Sequence, residues 1–290
     1  MMFITTLLWM VGAASASVDE KCADVAAGGT PEGYSEQGQQ DFLLNYFALA
    51  TTNSPLHAPI PHEPGHGALS LEASMIPPLS CERRLVLNYT KTEDTNKAPV
   101  FPRFRASFAF NPAGKLRPYA GVAYVPPLTV FGTRNVIVSG ELGFGVPLDQ
   151  GWSWGLRTHS TLMKTVAEIA TPFNDEDEPA NDLYVGSTFG LDAMLGKDLD
   201  GIEPYLAAGL TDVSTFFYIG DDAVVTNNGT PYFGPTTSLG LAIKKVKHLD
   251  LAAEYYGALY NFKRENDVSG GETSPGARIH TLRTRIGYRW

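Results

Sequence analysis

Leu282-Arg283-Thr284-Arg285-Ile286-Gly287-Tyr288-Arg289-Trp290 ends the sequence. Successive side chains of a strand point to opposite sides, so Leu282, Thr284, Ile286, Tyr288 and Trp290 share one face and Arg283, Arg285 and Arg289 the other. An apolar, aromatic row backed by a row of guanidiniums reads as a strand with one face in lipid and one in a polar lumen.

The alternation continues upstream. In 249–262, Leu249, Leu251, Ala253, Tyr255 and Leu259 oppose Asp250, Ala252, Glu254, Tyr256 and Tyr260. In 183–195, Leu183, Val185, Phe189, Leu191, Ala193 and Leu195 oppose Tyr184, Thr188 and Asp192. Strands are expected at 67–76, 100–110, 116–126, 135–147, 152–163, 183–195, 202–216, 232–245, 249–262 and 277–290. Connections 111–115, 148–151, 196–201 and 246–248 are short, whereas 77–99, 127–134, 164–182, 217–231 and 263–276 are mostly long and polar. Strict alternation of tight turns with longer loops is what a membrane barrel requires. The expected fold is therefore all-β, a closed antiparallel transmembrane β-barrel of about ten strands, with twelve as the alternative. Phe104, Phe108, Phe110, Trp152, Trp154, Tyr288 and Trp290 are placed outward near strand ends, where aromatic girdles sit.

Composition agrees. The chain is 43% hydrophobic and 18% charged with 29 Gly and 20 Pro, which favours turn-rich β structure over coiled coil or disorder. Its net charge of -9 offers no clustered basic face for nucleic acid. Three regions are expected: a signal peptide over 1–17, ending in Ala13-Ala14-Ser15-Ala16-Ser17; an N-terminal segment over 18–66; and the barrel over 67–290. Within the segment, 18–34 reads as a flexible lead-in, and Phe42, Leu43, Tyr46, Phe47 and Ala50 recur at helical spacing, giving one amphipathic helix over 35–52. Four prolines in 53–66 end it. Cys22 and Cys81 are the only cysteines. They are either free or joined in one disulfide, which a segment threaded through the lumen would allow. No lipobox precedes Cys22.

The terminal aromatic with Tyr288, Ile286, Thr284 and Leu282 on its face resembles the β-signal by which the assembly machinery of Gram-negative outer membranes recognises its substrates. That resemblance covers the last strand and implies an outer-membrane location, with membrane lipid, lipopolysaccharide and the barrel assembly machinery as partners. It leaves the oligomeric state open. A helix ahead of the first strand resembles the hatch-and-barrel layout of fatty-acid and hydrocarbon transport proteins, which implies a plug; no binding residue carries over.

Four constellations carry residue types that could do chemistry. Gly151-Trp152-Ser153-Trp154-Gly155 matches G-x-S-x-G, but it opens a strand with no helix behind it, so the tryptophans read as girdle residues rather than flanks of a nucleophile. His159 and Ser160 are adjacent on a strand and point apart. His57, His62, His66 and Glu63 lie in a proline-rich stretch whose spacing fits no tight metal site, so the group reads as a solvated loop. The acidic run Asn174-Asp175-Glu176-Asp177-Glu178, with Asn181 and Asp182, reads as a solvated external loop. No catalytic residue, metal or cofactor is expected.

The lumen row bears most on function: Glu72, Arg103, Arg105, Arg117, Glu141, Arg157, His159, Asp192, Glu203, Lys244, Asp250, Glu254, Arg283, Arg285 and Arg289. These charges either pair and fill the lumen or line a narrow conduit. The leading expectation is a narrow channel or transporter for small solutes, hydrophobic ones included, with residues 35–66 as a plug. The alternative is a non-transporting barrel that anchors surface loops; an enzyme ranks third. Within the last two strands, one register places Asp250 opposite Arg289, Glu254 opposite Arg285 and Tyr256 opposite Arg283; the alternative is a shift by two.

Overall fold

The computed structural model describes residues 22–28, 36–86, 91–92, 100–130, 133–167, 182–219, 224–227, 229, 231–262 and 279–290. The expected signal peptide and the acidic run 174–178 with Asn181 lie outside these residues. Ten strands form the barrel: β1 (Gly67–Met75), β2 (Val100–Ala109), β3 (Arg117–Val130), β4 (Thr133–Pro147), β5 (Trp152–Ala167), β6 (Asp182–Lys197), β7 (Ile202–Ile219), β8 (Phe233–Ile243), β9 (Leu249–Ala258) and β10 (Ile279–Arg289). Each pairs antiparallel with its sequence neighbours. The ring closes between first and last, where Ala68 faces Arg289 and Met75 faces Leu282. Closure leaves no strand edge unpaired.

Tight turns join the strands at one end. Between β6 and β7, Leu199 and Ile202 exchange backbone hydrogen bonds around Asp200 and Gly201, whose φ values of 58° and 80° are those of a type I′ turn. Opposite lies the loop end. There the expected connection 127–134 shrinks to residues 131 and 132, because β3 and β4 both run on past it. Pro126 and Pro127 interrupt β3 with a bulge between Val125 and Leu128, since proline lacks the N–H a ladder needs.

The two faces separate as the alternation requires. Leu71, Phe104, Val122, Leu142, Leu162, Phe189, Leu206, Leu239, Tyr255 and Ile286, one from each strand, are exposed on the outside. Among the described residues no helix is long and apolar enough to cross a membrane. Inward side chains lie flat over glycines of the next strand. Tyr205 covers its ladder partner Gly240, and a Cβ added there would stand 2.2 Å from the ring.

The interior is filled by the chain's own N-terminal segment. Two helices occur rather than one: α1 (Ala23–Ala27), held by a Cys22–Cys81 disulfide inside the expected lead-in, and α2 (Glu36–Ala50). The latter departs from an amphipathic helix, since Asp41 and Asn45 are buried along with Phe42, Leu43 and Leu49. The reason is its position inside the barrel, where none of its residues from Asp41 onward is exposed. Its polar residues take up backbone donors instead: Asp41 accepts from Gly229 N–H at 2.9 Å and Asn45 from Tyr232 N–H at 2.9 Å. Phe42, Leu43, Tyr46 and Leu49 pack against Val213, Tyr232, Ala258 and Ile279 in the loop-end half. In the other half Leu56 and Ala58 pack against Met194, Tyr205, Ala207, Ala242 and Ala252.

β9 ends at Ala258, short of the expected strand, so Tyr260 is exposed instead of inward. The register of the last pair is the expected one shifted by two. Asp250 faces Gly287, Glu254 faces Arg283, and Tyr256 faces Thr281. Glu254 stands directly opposite Arg283 yet accepts from Leu56 N–H and Tyr205, Arg283 donates to the plug, and Arg285 reaches Asp250 diagonally, as a guanidinium on three methylenes can.

Candidate functional site

Between the two apolar layers lies a charged one. Glu72 receives Arg103 at 2.7 Å and Arg105 at 3.0 Å. Arg105 also reaches Glu141 at 3.3 Å, and Arg157 bridges Glu141 and Asp192 at 2.6 Å each. His159 stands 3.5 Å from Asp192. Arg283 stands 4.0 Å from Glu72, so one chain of ion pairs spans β10, β1, β2, β4, β5 and β6, and Arg285 pairs separately with Asp250 at 2.9 Å. All of these side chains are buried.

The same arginines hold the plug. The last carbonyls of a helix have no partner within it and carry partial negative charge, and a proline-rich segment after it has none of the ladder partners of a strand. Here Arg103 donates to Thr51 O at 2.9 Å, Arg105 to Ser54 O at 3.0 Å and Pro55 O at 3.3 Å, and Arg157 to Asn53 O. Arg283 donates to Thr52 O, to Ala50 O at 3.3 Å and to Ser54 Oγ at 3.0 Å. Every carbonyl from Ala50 to Pro55 therefore meets a guanidinium. The segment's N–H groups find acceptors on the wall: Asn53 donates to Thr161 Oγ1 at 3.1 Å and Leu56 to Glu254 Oε2 at 2.8 Å. Tyr205 donates to the same oxygen at 2.8 Å. Leu56 has a φ of 51°, a left-handed conformation uncommon for a leucine, held where the segment turns.

The expected lumen residues divide into two groups. Glu72, Arg103, Arg105, Glu141, Arg157, His159, Asp192, Asp250, Glu254, Arg283 and Arg285 are buried in or beside the charged layer. Arg117, Glu203, Lys244 and Arg289 instead line a cavity of about 820 Å³ at the short-turn mouth, beside Ile60, His62 and Trp152. There Lys244 pairs with Glu203 at 2.8 Å and donates to Ile60 O. Leu282, Thr284, Ile286, Tyr288 and Trp290 all face outward.

The solvated-loop reading of the histidines fails for two of them. His57 is buried with Nε2 3.5 Å from Glu141, and His62 is buried with Nε2 2.7 Å from Ser107 Oγ, because the proline-rich stretch runs inside the barrel. His66 and Glu63 are exposed. Among the described residues no group of His, Cys, Asp and Glu is placed to hold a metal ion. Asp182, the described end of the acidic stretch, is buried rather than solvated. Ser153 opens β5 at the rim of the mouth cavity, and Ser160 is exposed on the face opposite His159. Sequence reasoning missed Tyr119, Tyr205, Ser139, Thr161 and Leu56. For the tyrosines a signal existed, an inward tyrosine whose ladder partner is glycine: Tyr119 with Gly143, Tyr205 with Gly240.

No family model and no curated protein sequence matches the chain. Among solved structures it is similar to the translocator domain of the autotransporter NalP from Neisseria meningitidis, at 10% identity and a TM-score of 0.39 over 96% of this chain and 100% of that one. It is also similar to Ail of Yersinia pestis, at 8% identity and 0.34 over 79% and 100%, and to the toluene transporter TodX of Pseudomonas putida, at 11% and 0.35 over 88% and 75%. These neighbours are outer-membrane β-barrels.

Proposed function

We propose that the protein is a barrel of the Gram-negative outer membrane, sealed by its own N-terminal segment, and that it serves as an envelope or surface anchor rather than an open pore. An uninterrupted exposed apolar belt on all ten strands supports the membrane location, since soluble monomers rarely expose more than a few hundred Å² of contiguous apolar surface. Its partners on this reading are membrane lipid and lipopolysaccharide around the belt, and the assembly machinery acting on the Trp290 strand. The absence of catalysis is part of the same reading.

The observation that carries the anchoring role is the match between guanidiniums and carbonyls from Ala50 to Pro55. Opening a conduit would strand these buried groups, at about 1–3 kcal/mol for each donor or acceptor left without a partner. The cavity at the short-turn mouth favours a second reading, a gated conduit for small solutes entered from that side. Planar-bilayer recording separates the two. The full chain is expected to be silent, and a variant lacking residues 36–62 to conduct. Steady conductance of the full chain would overturn the anchoring role.

A further inference from the structure

We infer that the chain crosses its own barrel from the loop end to the short-turn end, so that α1 is displayed on the cell surface while Trp290 faces the periplasm. The inference rests on the membrane reading above and adds a direction to it.

The path can be followed residue by residue. Cys22 is bonded to Cys81, which follows β1 at the loop end. Within α2, Asp41 and Asn45 hold the backbone of Gly229 and Tyr232, ahead of β8 at that same end. The fifteen residues of α2 then descend the axis, about 22 Å at 1.5 Å per residue. The carbonyls of residues 50–55 occupy the charged layer at mid-depth. Pro59 lies against Gly145, Gly155 and Gly196, near the short-turn ends of β4, β5 and β6. Ile60 and His62 reach the mouth cavity, and His66 O accepts from Ala109 N–H at 2.9 Å, where β1 begins.

The segment is therefore tethered at both mouths, by a disulfide at one and by its own backbone at the other. A plug inserted from the periplasm would have its free end at the short-turn mouth or inside the lumen. Here Cys22 and α1 lie at the loop mouth, with Asp24 and Ala27 exposed. Barrels of this class keep short turns in the periplasm and longer loops outside, which puts α1 on the surface.

The test is thiol accessibility in cells expressing the full chain. Asp24→Cys and Lys247→Cys are made separately and treated with a membrane-impermeant maleimide before and after permeabilising the outer membrane. Asp24→Cys is expected to label equally in both conditions, and Lys247→Cys, in the turn before β9, only after permeabilisation. Labelling of Asp24→Cys only after permeabilisation overturns the inference. If the added thiol disturbs the Cys22–Cys81 bridge, an epitope inserted at Gly28 and read by antibody on intact cells gives the same decision. Fractionation of the parent chain keeps the two readings apart, because absence from the outer membrane sinks the proposed location, whereas a reversed pattern in a membrane-located barrel sinks only the direction.

Discussion

Arg285 binds Asp250 across a diagonal of the β9–β10 ladder: Nη2 and Nε each lie 2.9 Å from the carboxylate, while the residue directly opposite Arg285 is Ala252. Removing one partner of a buried pair costs about 3–5 kcal/mol because the other charge is stranded. Asp250→Arg and Arg285→Asp should each weaken folding by that order, and the double reversal should recover a large part of it. Glu254 and Arg285, which do not touch, should give additive losses. Both cycles are read from denaturant midpoints of the refolded barrel in detergent or lipid.

Arg283 is fully buried, sits 4.5 Å over the Tyr256 ring and bonds the plug at three points. Arg283→Met keeps most of the volume and removes every donor, so it is expected to free the segment around Thr52 before it unfolds the wall. Hydrogen exchange of the Asn53 and Leu56 amides, which bond the wall, should then quicken while heat-modifiable migration persists. Protection equal to wild type would show that the remaining arginines suffice.

Gly240→Ala should be more damaging than its size suggests, since the new methyl group displaces Tyr205 and breaks the hydrogen bond to Glu254. The substitution is expected to cost about 1–3 kcal/mol, the range for overpacking. Adding Tyr205→Leu should remove the clash, and a midpoint for the double variant no lower than for Tyr205→Leu alone would show it.

Burial, reinforced by Arg285, His57, Lys244 and Arg289, pushes the His62 imidazole down to about 2. The folded protein thus holds it neutral, whereas the unfolded chain binds a proton below about 6.5. Below that pH the unfolded state carries the extra proton, so stability is full above about 6.5 and falls as the pH drops toward 2. Between pH 6.5 and 5, before ordinary carboxylates titrate, His62→Gln should flatten the loss of thermal stability seen in the wild type. An unchanged slope would place the acid sensitivity elsewhere.

The wall was legible in the sequence because period-two alternation and loop length are local properties. Glu254 and Tyr256 announce their face without reference to any partner. Their partners were not legible. The expected register asked the β9 acids and β10 arginines to satisfy one another directly, and the actual one leaves Glu254 to Leu56 and Tyr205, and Arg283 to Thr52. Burial of His57 and His62 was hidden for the same reason: a proline-rich stretch looks solvated unless something surrounds it. Asp41 and Asn45 in α2 were the available hint. They sit beside the apolar residues of a helix with no face left for water, which makes sense only inside a polar-walled tube.

The disulfide joining Cys22 to Cys81 also constrains the order of assembly. Residues 22–66 lead directly into the wall at β1, and β1 pairs with β10 to close the ring. A closed ring has no side door for a helix about 10 Å across. The segment therefore lies in the lumen before the second of two closures, the β1–β10 seam or the Cys22–Cys81 bridge. Seam and bridge are in effect two clasps, and whichever fastens last fixes wall and core together.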